Sequence, residues 1–129
     1  MHPTRHPAEA RTLFLLMRWL RRTYGDDFVM QEPQLEAAFS PVAIALRKPI
    51  LDLATKPALA DIVLAIDFTA EPQDSLYARA RVAEYWAIDV VPKRWIVHRD
   101  PISDVYRTVH ALGEYEIVPL RGMLVSSFF

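Results

Sequence analysis

The chain contains no cysteine. Disulfides, thiolate zinc sites and cysteine nucleophiles are therefore excluded, and a reducing, cytoplasmic compartment is the expectation. Long apolar runs are missing as well. The first apolar run, Leu13 to Met17, is too short for a signal-peptide core or a membrane span, so no membrane span is expected. Neither sign of charge dominates: 15 Lys and Arg stand against 16 Asp and Glu, a formal net charge of −1. That balance excludes a basic nucleic-acid footprint over the whole chain and leaves only a local basic face as a way to meet DNA. There is no internal repeat and no low-complexity segment.

What remains is a chain of 129 residues, 52% hydrophobic and 24% charged, which suits one packed domain over residues 1–129. Residues 8–24 read as an amphipathic helix. Leu13, Leu16, Met17, Leu20 and Tyr24 share one face, Arg11, Arg18 and Arg22 lie opposite, and Gly25 is a helix stop. Phe28 to Leu35 reads as a strand that Pro33 either pushes to an edge or ends. Val42 to Leu46 is a short apolar strand, and Arg47 to Ala60 is a connector with Pro49 and Pro57. Asp61 to Phe68, DIVLAIDF, is almost continuously apolar, as a strand covered on both faces would be. Pro72 opens a short helix over about 73–81. Tyr85 to Val90 is the next strand, Pro92-Lys93 a turn, and Arg94 to Arg99 its hairpin partner. Val105 to Leu112 and Tyr115 to Leu120 complete the strands, joined by Gly113-Glu114. This order predicts an α/β (α+β) domain with a mixed sheet, a long N-terminal helix, a short central helix and a C-terminal antiparallel strand run. The tail MLVSSFF is apolar and needs covering by the domain or by a partner.

Several polar residues carry a functional reading beside a plainer one. Asp61 and Asp67 stand six apart in one strand, and even spacing puts both on one face, where a metal site is conceivable. The plainer reading puts Asp61 at the strand start, solvated or capping. Glu71 and Asp74 would lend carboxylates to such a site, or simply favour the N-terminus of the short helix. Asp89 reads as a turn cap. His98 and His110, on neighbouring strands, would meet across a sheet as metal ligands or serve as structural histidines. His2 and His6 belong to a flexible start. Arg11, Arg18 and Arg22, with Arg21 beside them, are the nucleic-acid-binding candidates, against the alternative of a solvated helix face. Trp19, Trp86 and Trp95 are expected as core or interface anchors.

DIVLAID, SLYARARVAEYWAID, LGEYEIVPL and the final aromatic pair resemble the Uma-two family of restriction-endonuclease-like proteins, of the PD-(D/E)XK nuclease superfamily. The likeness spans about residues 10–129 and is densest at 60–90. It implies a restriction-endonuclease-like core and a Mg²⁺- or Mn²⁺-dependent endodeoxyribonuclease of bacterial type. The chemistry needs an acidic pair to hold the metal and a lysine near the attacking water. Carried over residue by residue, the place of the first Asp falls on Pro41 or Val42. The place of the Glu falls on Asp67, and that of the Lys on Gln73. One altered carboxylate survives, so Asp67 and Gln73 are degenerate catalytic positions, with Asp67 the metal ligand if one binds. A family glycine at the end of the short helix is here Arg81, which a left-handed backbone would strain. Two functions follow. One is a nuclease-like protein with a degenerate active site, acting on DNA with Mg²⁺ or Mn²⁺ if active. The other is a non-enzymatic structural or interaction subunit, forming a homodimer or joining a larger assembly.

Overall fold

The computed structural model describes residues 6–36 and 39–129. Helix α1 spans Pro7–Tyr24, with Leu13, Leu16, Met17 and Leu20 turned inward and buried. His6 is part of that helix's start, not of a flexible lead. Its Nδ1 accepts from the Ala8 N–H at 3.0 Å, and Pro7 occupies the first helical position, where a missing N–H is tolerated. His2 lies outside the described residues. Gly25, at φ 94°, ends the helix, its N–H returning to the Arg21 carbonyl at 2.9 Å.

Six strands and one further helix follow: β1 (Val29–Gln31), β2 (Ala43–Leu46), β3 (Ile62–Phe68), α2 (Asp74–Arg79), β4 (Glu84–Asp89), β5 (Arg94–Ile102) and β6 (Val105–Leu112). The strands lie across one mixed sheet in chain order. Every neighbouring pair is antiparallel except β3 and β4, which run parallel and are linked through α2. Glu32 at φ 46° and then Pro33 stop β1 after three residues, well short of the predicted end at Leu35.

The sheet is covered on both faces. α1 packs on one, over Leu64, Ile66, Trp86, Ile88, Trp95 and Val97. α2 packs on the other, with Tyr77 and Ala78 against Ala65, Tyr85 and Ala87. Double coverage explains the near-continuous apolar runs of β2 and β3. It also makes the middle of the sheet expensive to disturb: truncating a fully buried Leu or Ile to Ala costs about 2–5 kcal/mol.

Two further predicted elements differ. Tyr115 to Leu120 is not a strand; the segment makes a single bridge, Ile117 with Leu124. Leu120 (φ 65°) and Gly122 (φ 73°) fold the chain back, and Val118 donates to the Met123 carbonyl at 2.8 Å. Extending the sheet would have left Val118, Val125 and Phe128 in water, whereas the turn buries all three on the α1 face. The apolar tail is thus covered by its own domain, with Phe128 edge-on to Trp95 at 5.3 Å between ring centres. The second difference is a bulge. Ala45 pairs with Leu64 but Leu46 with Ile62, which leaves Val63 unpaired and puts Val63 and Leu64 on the same face.

Helix α2 ends in a Schellman turn. Val82 donates to the Tyr77 carbonyl (3.1 Å) and Arg81 to that of Ala78 (2.9 Å), with Arg81 left-handed at φ 65°. The strain expected of a non-glycine residue at this position is present. Among the described residues no helix is long and apolar enough to cross a membrane.

Candidate functional site

Asp67 points to the α2 face near the end of β3. Its Oδ2 accepts from the Tyr85 hydroxyl at 2.8 Å, and that hydroxyl accepts from the Gln73 N–H at 3.1 Å. A chain of backbone amide, phenol and carboxylate therefore ties the start of α2 to β3 and β4. Tyr77 stacks on Tyr85 with ring centres 4.5 Å apart, and its hydroxyl feels the Asp67 charge without making a hydrogen bond of good geometry. His98 and Tyr106 continue the aromatic group beyond Tyr85.

The electrostatics follow from these neighbours. Burial raises the Asp67 carboxyl above its ordinary value; the Tyr85 hydrogen bond and the nearby Tyr77 hydroxyl oppose the rise but do not cancel it. Burial and the Asp67 charge push both phenols, Tyr77 and Tyr85, far up, so they remain donors at every working pH. Burial lowers His98, whose Nδ1 lies 3.1 Å from the Tyr85 carbonyl and must donate to it. Neutral groups surround Asp67, and none of its identified hydrogen-bond partners carries a positive charge.

The places that nuclease chemistry would use are filled by unsuitable groups. The β2–β3 ladder ends at Ala43 and Ile66; Val42 donates to the Ile66 carbonyl at 2.8 Å and packs with Ala43 on the α1 face, away from Asp67, and Pro41 is buried beside it. On the other side Asp67 faces Ala87. Gln73 contributes its backbone N–H, while its side chain is exposed and caps nothing. Among the described residues no three His, Asp or Glu side chains come together as a metal-binding group. A hydrated Mg²⁺ or Mn²⁺ needs more oxygen charge than one half-buried carboxylate already engaged by a phenol, so these residues do not fit the ion.

Other predicted candidates separate. Asp61 does not share a face with Asp67: it precedes β3, its Oδ2 accepts from the Ala58 N–H at 3.0 Å, and the Val63 bulge breaks the even-spacing argument. His98 and His110 do not meet. His98 pairs with Val109 and His110 with Val97, so the two rings leave opposite faces, one buried and one exposed. Arg11, Arg18 and Arg22 are exposed on α1, across the sheet from Asp67. Arg11 reaches the Phe129 carbonyl at 3.4 Å, and Arg18 lies over the Phe14 ring at 5.9 Å. Arg18 and Arg22 rim a cavity of about 200 Å³ floored by Leu15, Trp19, Met123 and Phe128.

A second polar centre lies on the α1 face. Glu84, 7% exposed, accepts from Trp86 Nε1 (2.6 Å), Arg99 Nη2 (2.9 Å) and Arg121 Nη2 (2.7 Å). Arg121 also donates to the Tyr24 hydroxyl at 2.7 Å and stacks over Trp19 and Tyr24. Burial acts to lower the Arg121 guanidinium, but Glu84 outweighs it and holds it above its ordinary value. Sequence reasoning passed over this group. The turn expected at Pro92-Lys93 would have paired Arg99 with Trp86; the longer Val90–Lys93 turn pairs it with Glu84 instead, and no periodicity leads to Arg121.

No protein-family model matches the chain, and no curated protein sequence matches it.

Proposed function

We propose that this chain is a nuclease-like domain of the PD-(D/E)XK, Uma-two type that has lost metal-dependent cleavage and acts by association, as a structural or interaction subunit. The observation that carries this reading is the state of Asp67. Its carboxylate is taken by the Tyr85 hydroxyl and lies beside Tyr77 and Ala87, where a metal ligand and a lysine would be needed. The mixed sheet and the long N-terminal helix agree with the scaffold, and the LYARARVAEYW string is the residue-level support for the family. Arg11, Arg18 and Arg22 add a further argument. DNA held on α1 would lie across the sheet from Asp67 and out of its reach.

The test is a plasmid-cleavage assay with Mn²⁺, run on the wild type and on Asp67→Asn, alongside thermal melting with and without the metal. No cleavage beyond that of Asp67→Asn is expected, and no rise in Tm on adding Mn²⁺, since only an ion that binds the native state stabilises it. Cleavage, or a Mn²⁺-dependent rise in Tm, that is present in the wild type and absent from Asp67→Asn would restore the enzyme.

A further inference from the structure

The two edges of the sheet are unlike. β1 is three residues long and is cut off by Glu32 and Pro33. β6 is eight residues long, about 27 Å at the usual rise. Its sequence, VYRTVHAL, carries no proline, lysine, aspartate or glutamate, and Arg107 is its one fixed charge of the kind that keeps an edge from pairing. Among the described residues, no backbone hydrogen bond reaches β6 from anything but β5. Val105 and Val109 on this edge are 54% and 52% exposed. The C-terminal segment does not cover the edge and turns onto the α1 face.

The occupant follows from the strand's own pattern. Outward backbone groups recur at every second residue, so a strand that pairs with its own copy must place the two-fold axis on a residue. An axis on Arg107 would set two guanidiniums against each other. An axis on Thr108 sets Thr108 against Thr108, Arg107 against Val109 of the second copy, and Val105 against Ala111. That arrangement has no like-charge pair, and it covers both exposed valines.

We propose that β6 pairs antiparallel with β6 of a second copy about an axis on Thr108, joining two six-stranded sheets into one. This names the partner for the association reading above and rests on it. Mass measurements test the edge and the cleavage assay tests the lost chemistry, so the two fail separately.

The experiment is sedimentation equilibrium across the micromolar range on the wild type, Val109→Arg and Val109→Glu. Far-UV circular dichroism checks the fold of each, which an exposed position should preserve. The wild type dimerises. Val109→Arg faces Arg107 of the second copy twice and weakens the dimer about tenfold, and Val109→Glu tightens it by a similar factor. A wild type that is monomeric throughout overturns the proposal. So does equal weakening by both variants, which would move the axis onto Val109. The absence of cysteine allows a second readout that does not depend on those variants. Under oxidation Thr108→Cys should cross-link to its own copy, since residues paired across antiparallel strands lie about 4.5–5.5 Å apart at Cα, whereas Val105→Cys should not. Cross-linking of both at the same rate would also overturn the assigned register.

Discussion

Glu84 and Asp67 lie on the one parallel strand pair of the sheet, on opposite faces. Leu64 pairs with Glu84 and Asp67 with Ala87, so the two acids are only three residues apart along the ladder. Both are withdrawn from water, but their partners differ in kind. Glu84 meets two guanidiniums and an indole N–H; Asp67 meets phenols and methyl groups. The first arrangement holds a charge in place. The second holds a hydrogen bond and makes the charge unwelcome, as the raised Asp67 carboxyl records. The acid that drew the catalytic reading from sequence is therefore the weaker electrostatic feature, and the acid that drew none is the stronger.

The sharpest way to break this contrast is Glu84→Ala. It would leave Arg99 and Arg121, 12% and 22% exposed at their side chains, without a counter-charge. Removing one partner of a buried ion pair costs about 3–5 kcal/mol, and the remaining exposure of the arginines places this case toward the lower end. For a domain of this size that is a large share of the total, so a urea midpoint should fall steeply. A change below about 1 kcal/mol would show that water already compensates both arginines. Next comes Tyr85→Phe. It removes the acceptor of the Gln73 N–H and the donor to Asp67 while keeping the ring stack on Tyr77. A loss of about 1–3 kcal/mol is expected from the groups left unpaired. Indifference to this substitution would mean that the phenol does not tie α2 to the sheet.

Much of this was legible in the chain. The helix at 8–24 and the apolar strands at 42–46, 61–68 and 85–90 were readable because burial on one stripe or on two faces leaves a pattern in sequence. The hairpin about Pro92-Lys93 was readable from its turn residues. Failures came where tertiary packing overrode local pattern. Tyr115 to Leu120 alternates well enough for a strand, yet Val118 gains more by joining Val125 and Phe128 under α1. The Val63 bulge shifts side chains to the other face and undoes a spacing argument for Asp61 that was sound for a regular strand. Arg121 arrives at Glu84 from an irregular loop, which carries no period to follow.

A smaller effect isolates the backbone of the Asp67 side. Arg81 adopts φ 65° to close α2, with its side chain in solvent. Arg81→Gly should stabilise by about 1 kcal/mol, because the left-handed conformation costs a glycine nothing. The Schellman bonds and the position of Gln73 should be unchanged, so the gain should be the same in wild type and in Tyr85→Phe when read by urea midpoint. Unequal gains would mean that strain at the end of α2 is coupled to the phenol at its start.

The smallest effect, and the one that discriminates best between the two acids, is the pH dependence of Asp67→Asn. Because burial raises the native Asp67 carboxyl above its ordinary 3.8, the folded chain keeps that proton after the unfolded chain has lost it. Stability therefore falls as pH rises from about 4 through the native value, and the deficit persists above it. Burial lowers His98, so the unfolded chain gains that proton first, and stability falls as pH drops below the ordinary 6.5. The His98 contribution is common to wild type and Asp67→Asn and cancels between them. The difference, wild type minus variant, should then decline with rising pH above about 4 and level off, in urea midpoints taken from acid to neutral pH. A difference that grows with pH would mean that Asp67 has a depressed carboxyl and a cationic partner after all. Asp67 would then resemble Glu84 electrostatically, and the case for a metal at this position would reopen.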